Sequence, residues 1–206
     1  MTTGIMKKYD FHVKINMAGI YSSGKRSLLV RFFSGNFREN YKEEFELFMR
    51  CAEIPKILDI ENKLIICQIF APSGGTKYLS SGTCGTHIRK MQGSIIVYDI
   101  TNLESFNEIK KLNQELNDNC SPGIKKILVG NKCDLESERK VTEEEGKKLA
   151  NELGINFFEV SAKTGKNVKE AFISLIKDII INYKTQENKI QINKAEPSDK
   201  KYKCAK

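Results

Sequence analysis

A lysine behind a glycine-rich turn is a phosphate binder, and residues 19–27, "GIYSSGKRS", nearly make that arrangement. In the pattern G-x-x-x-x-G-K-[ST], backbone N–H groups wrap the phosphate oxygens. The lysine neutralises them, and the hydroxyl that follows holds Mg²⁺. Gly19, Gly24 and Lys25 fit, and Ser22, Ser23 and Ser27 add possible donors. The hydroxyl position, however, is Arg26. Ser27 comes one residue later, but one helical step turns a side chain by about 100°, so Ser27 is not expected to replace the missing hydroxyl. The pattern predicts a phosphate cradle that has lost a metal ligand.

A second set of residues suits a purine. "ILVGNKCDL" places Asn131, Lys132 and Asp134 just past an apolar run, and "VSAK" places Ser161, Ala162 and Lys163 just past the next. A carboxylate at Asp134 can accept two N–H bonds from the edge of guanine. Adenine lacks that donor pair and would leave the carboxylate unpaired, which makes discrimination strong. Lys132 can lie over the ring system, and the backbone N–H of Ala162 can reach the ring carbonyl.

These loops need a scaffold that brings them to one edge. "FHVKINMAG" alternates apolar and polar residues and then meets glycine, a strand followed by a turn. "NKLIICQIF", "GSIIVYDI", "KKILVGN" and "INFFEVSA" are further β-type runs. Helical spacing marks "KRSLLVRFFSG", Leu103 to Leu116, Thr142 to Leu153 and Asn167 to Tyr183, with Thr142 and Glu145 forming a capping box. Strands that alternate with helices and are apolar nearly throughout imply an α/β fold, a parallel sheet covered on both faces. Ligands of such folds bind at the carboxyl ends of the strands, so the loops of interest are 19–27, 71–78, 99–102, 130–135 and 160–164. "CAEIPKILDIENK" reads as a longer link between the second and third strands.

With both base loops in this order behind a phosphate loop, residues 10–183 resemble the Ras superfamily of small GTPases. The Rab branch is the nearest fit, through "GSIIVYDITNLESFNEIKKL" and "SLLVRF". The resemblance implies a P-loop NTPase small G domain, a mostly parallel six-stranded sheet flanked by helices on both faces. It also implies a switch between GDP and GTP forms, with effector and regulatory proteins of Rab type as partners and vesicle traffic as the setting. By resemblance, Gly19, Ser22, Ser23, Gly24, Lys25, Arg26, Ser27 and Gly74 line the phosphates. Asn131, Lys132, Asp134, Ser161, Ala162 and Lys163 bind guanine.

Four departures from the family pattern fall on one piece of chemistry. Arg26 replaces the Mg²⁺-binding hydroxyl. In "NYKEEFELF" the first-switch threonine position is Glu44, or Glu43 if the alignment slips by one. The family's D-T-A-G-Q reads "APSGG", so the aspartate that supports Mg²⁺ is Ala71 and the glutamine that orients the attacking water is Gly75. Gly74 alone remains to offer an N–H to the γ-phosphate. A unit charge pair at 4 Å is worth about 4 kcal/mol at an effective dielectric of 20. Trading a divalent ion for one guanidinium, and adding a carboxylate at Glu44, therefore opposes phosphoryl transfer. The chain resembles a GTP hydrolase whose catalytic residues are missing. Two readings follow: a divergent switch that cycles slowly, or a binding module without turnover.

Composition sets the remaining bounds. The chain has 206 residues, 40% hydrophobic and 29% charged, which suits one globular domain. No apolar run reaches a membrane span and the first residues lack a secretory signal, so a cytoplasmic location is expected. The six cysteines form no C-x-x-C pair and fit neither a zinc site nor a disulfide framework. Cys51, Cys67 and Cys133 read as ordinary core or edge thiols, and His12 and His87 are the only histidines. Net charge is +8, and half of it lies from Lys184 onward, where seven lysines face Glu187, Glu196 and Asp199. The expected organisation is a short extension at 1–9, the domain at 10–183 and a flexible basic tail at 184–206. Such a tail suits an anionic membrane surface rather than nucleic acid. Cys204 is third from the end and so fails C-a-a-X; it is either a lipid site of Rab type or an unmodified thiol.

Overall fold

A computed structural model describes residues 9–37, 55–72 and 88–195, with side chains through Tyr183 and at Thr185. Glu43, Glu44, Cys51, Gly74, Gly75, His87 and Cys204 lie outside the described residues. Six strands form one sheet in the order β2-β3-β1-β4-β5-β6. They are β1 (Phe11–Ala18), β2 (Lys56–Ile60), β3 (Lys63–Phe70), β4 (Gly93–Asp99), β5 (Lys125–Asn131) and β6 (Asn156–Glu159). Only β2 runs antiparallel to its neighbour. The strand order reverses at β1, and the crevice of an open α/β sheet forms at such a point.

The strands read as near-continuous apolar runs because both faces are covered. Every residue of β4 is buried. On one face Val13, Ile15, Met17, Ile65, Ile95 and Val129 meet α1 (Lys25–Ser34) and α5 (Val168–Ala195). There Phe32 stacks on Phe172 with ring centroids 4.2 Å apart and planes 9° from parallel. On the other face Ile96, Tyr98 and Leu128 meet α3 (Ile109–Asn119) and α4 (Glu143–Leu153). The predicted capping box starts α4: Thr142 Oγ1 accepts from the Glu145 N–H at 3.2 Å, and Glu145 accepts from the Thr142 N–H at 2.8 Å.

Two expectations need correction. The link "CAEIPKILDIENK" contains a strand: β2 pairs with β3 through Glu61 and Asn62, both in the left-handed region (φ 54° and 61°). That is the backbone of a tight hairpin, usually signalled by Asn-Gly, and Glu61 hid it. The helix expected over Leu103 to Leu116 is two segments, α2 (Leu103–Asn107) and α3, and it extends to Asn119. The break is slight, since Glu108 stays in the right-handed region and donates to Glu104 O. The last helix, α5, runs past Tyr183 to Ala195. "KTQENKIQINKA" holds no glycine or proline, and the first helix breaker is Pro197.

Candidate functional site

The loops leaving β1, β3, β4, β5 and β6 meet at the carboxyl edge of the sheet. The turn after β1 ends at Gly24, the N-cap of α1, with φ 87°. A Cβ there would lie 2.1 Å from Asn131 Nδ2, so both conformation and space require glycine. Lys25 then opens the helix. Its ammonium folds back to donate to Gly19 O and Ile20 O, each at 2.8 Å. Burial, and then the neighbouring Arg26 charge, lower its pKa from 10.5 to about 8. Tyr21, Ser22, Gly24, Lys25, Arg26, Ser27, Pro72 and Lys132 line a cleft of about 310 Å³.

The serines behave differently from one another. Ser22 faces the cleft in a left-handed conformation (φ 62°). Ser23 is 1% exposed, and its hydroxyl donates to Ile20 O at 3.0 Å, so it braces the turn from within. Ser27, whose helical position turns it from Arg26, nevertheless reaches the cleft wall. Ser27 thus borders the cleft one residue later than the phosphate-loop pattern places its hydroxyl residue.

The residues singled out after β5 and β6 lie side by side. Asn131 is 1% exposed and joins three loops: Nδ2 donates to Ser23 O at 3.0 Å, and Oδ1 accepts from the Ala162 N–H at 3.3 Å. Ser161 Oγ donates to Asp134 Oδ1 at 2.6 Å and accepts from the Thr164 N–H at 3.0 Å. Asp134 is thus fixed by one oxygen while its exposed carboxylate keeps the other for a ligand. Lys163 lies exposed at the rim.

Two residues here were not predicted, Asp99 and Arg31. Lys132, with φ 69°, sets its ammonium 2.6 Å from Asp99 Oδ2. Asp99 is 5% exposed, and its other oxygen accepts from the Thr101 N–H at 2.9 Å and from Thr101 Oγ1 at 2.8 Å. An acidic residue ending a buried strand, in a loop already marked as ligand-facing, was the available signal. Arg31 is the other: from α1 it donates to Ala162 O at 2.7 Å, to Gly35 O at 2.7 Å and to Lys163 O. Its base-loop partners stand more than a hundred residues away, so no local pattern announced it. His12 has no place here, since its Nε2 bonds Gln68 Oε1 at 2.8 Å on the sheet.

A model for the Ras family matches residues 14–181 of this chain. The chain belongs to the Ras family. Its relatives place it in the Rab-like part of that family. It is 37% identical to the Ras-related protein Rab-13 of Bos taurus over 200 residues, 97% of this chain and 95% of the relative. It is 36% identical to Rab-8B of Dictyostelium discoideum over 171 residues, covering 83% and 81%. It is also 34% identical to the GTP-binding protein ypt2 of Schizosaccharomyces pombe over 173 residues, 84% of each chain. The six-stranded Ras-family domain expected from the motifs is the fold observed.

For a Ras-family domain the two halves of the site fit unequally. The base side sets an anchored carboxylate, Asp134, beside the stem of Lys132, whereas the Ala162 N–H expected to reach the ring carbonyl is taken up by Asn131 Oδ1. The phosphate side fits an anion, with Lys25, Arg26 and the N–H groups opening α1. It does not fit Mg²⁺. A guanidinium takes the hydroxyl position, and the first residue after β3, Ala71, offers only a methyl group. Among the described residues no cluster of three or more His, Cys, Asp or Glu side chains could hold a metal ion. Among the same residues no helix is long and apolar enough to cross a membrane.

Proposed function

We propose that this Rab-like protein is a guanine-nucleotide-binding switch of intracellular vesicle traffic in which Mg²⁺ coordination and GTP hydrolysis are weak. The carrying observation is one contact set: Asn131 bonds both Ser23 O and the Ala162 N–H. It joins an intact base-reading pair of loops to a phosphate turn in which a cation has replaced a metal ligand. Arg26 supplies one positive charge where the metal would supply two, and Gly75 supplies no group to orient water. Gly19, Ser22, Gly24, Lys25, Arg26 and Ser27, with Gly74 of the second switch, hold the phosphates, while Ser23 braces their turn. Asn131, Lys132, Asp134, Ser161, Ala162 and Lys163 hold guanine. GDP and GTP are the ligands, and Rab-type effectors and regulators are the protein partners. The basic segment after Tyr183, with Cys204, brings the domain to an anionic membrane face from the cytoplasm.

The replacement of oxygen ligands at both Arg26 and Ala71 supports a second reading, a pseudo-GTPase that carries nucleotide as a scaffold. Titrating GDP, GTP and ATP with and without Mg²⁺, followed by single-turnover phosphate release, separates the two. Guanine-selective binding with slow release supports the switch, and selective binding with no release supports the scaffold. Brisk Mg²⁺-driven hydrolysis contradicts both. The variant Arg26→Ser tests the metal argument: GDP release should become sensitive to EDTA. Equal indifference to EDTA in both proteins shows that Arg26 is not what keeps Mg²⁺ out.

A further inference from the structure

We infer that Arg31 is a positioning residue for base recognition: it locks the loop that reads the guanine carbonyl and ties that loop to the end of α1. This inference rests on the guanine reading above and extends it to a residue outside the motifs. The loop after β6 is well braced on its inner side. Ser161 N–H donates to Lys166 O at 3.1 Å, Gly165 N–H donates to Ser161 O at 2.8 Å, and Ser161 Oγ meets Asp134. Its two outward carbonyls, Ala162 O and Lys163 O, receive donors from Arg31. A guanidinium is planar and forked, so holding both carbonyls at once fixes two successive peptide planes. A trans peptide sets N–H opposite C=O. Anchoring Ala162 O on the α1 side therefore aims the Lys163 N–H the other way, beside the Ala162 N–H that turns to Asn131.

The same fork closes a second loop. Arg31 Nη1 donates to Gly35 O at 2.7 Å, while the Gly35 N–H donates to Arg31 O at 2.9 Å. Gly35 is the left-handed C-cap of α1, with φ 74°. One side chain thus holds the base loop and the point where the chain leaves α1.

The test compares wild type, Arg31→Ala and Arg31→Lys as full chains with three ligands: GDP, IDP and 2-aminopurine riboside diphosphate. IDP keeps the ring carbonyl but lacks the exocyclic amine that Asp134 reads. The 2-aminopurine ligand keeps the amine and lacks the carbonyl. In Arg31→Ala, GDP and IDP should dissociate about tenfold faster, the scale of a lost charge-assisted hydrogen bond. The GDP-to-IDP ratio should stay constant, and the 2-aminopurine ligand should hardly change. Arg31→Lys, with one ammonium for three carbonyls, should recover part of the GDP affinity. Amide exchange at Ala162 and Lys163 should quicken in Arg31→Ala while Asn131 and Val129 keep their protection. Unchanged affinities, or equal weakening of all three ligands, would overturn the positioning role alone. Failure of the wild type to prefer GDP over ADP would overturn the guanine reading and this inference with it. Should Arg31→Ala not fold, the contrast among the three ligands in Arg31→Lys decides.

Discussion

Lys25 makes a demanding prediction because it is a cation held where cations are disfavoured. Burial, then Arg26, depress its pKa from 10.5 to about 8. That gap corresponds to roughly 3 kcal/mol working against the charged form. A nucleotide diphosphate supplies the missing counter-charge and raises the pKa again. In ligand-free protein at pH 9, only about a tenth of Lys25 carries its proton, so binding GDP there must draw a proton from solvent. The GDP affinity should be flat below pH 8 and fall by up to about tenfold per unit above it. Calorimetry in buffers of different ionisation enthalpy should register the uptake directly. The guanine ring also loses a proton in alkaline solution, so Arg26→Ser is the internal control. Removing the adjacent guanidinium raises the Lys25 pKa and moves the onset to higher pH, while the ring contributes equally in both proteins. Stability changes in the opposite sense. Between pH 8 and 10.5 the unfolded chain binds more protons at Lys25 than the folded one does, so this residue's unfavourable contribution shrinks as pH rises through that window. Coincident affinity curves for the two proteins, or no net proton uptake at pH 9, would refute the reasoning.

Three substitutions probe the scaffold. Gly24→Ala puts a methyl group 2.1 Å from Asn131 Nδ2 at φ 87°, so thermal melts should show a loss of about 1–3 kcal/mol, together with weakened GDP binding by fluorescence titration. Tyr98→Phe removes a fully buried hydroxyl that makes no hydrogen bond, so urea unfolding should show stability unchanged or raised by up to about 1 kcal/mol; a clear loss would reveal a partner for that hydroxyl. Thr142→Ala breaks the cap of α4 and should cost about 1 kcal/mol by the same assay while leaving GDP affinity unchanged.

The parts of the molecule legible from sequence were those whose signals are short-range. "GIYSSGKRS", "NKCD" and "VSAK" each combine chemistry and backbone demands within a few residues, and the fold brings them together. The alternation in β1 and the capping box at Thr142 were visible for the same reason. The hairpin that makes β2 was hidden because Glu61 adopts a conformation that glycine usually signals. Asp99 was half-visible, since its loop was marked but its carboxylate was not connected with Lys132. Arg31 was invisible: its role exists only once α1 lies beside the β6–α5 loop, and on a helix surface an arginine looks like any solvated charge. Ser27 shows the limit of helical-wheel reasoning at a first turn, where two successive residues reach the same cleft.

The amide of Asn131 carries one more implication. Because one side chain grips the turn that would cradle the diphosphate and also the loop that would meet the base, the two ends of a nucleotide are not sensed separately. Guanosine alone, or pyrophosphate alone, would engage just one of the two loops that this amide already holds together. The whole molecule should therefore bind far more tightly than its fragments suggest, and letting go should be all-or-none, with the ring and the phosphates departing in a single event.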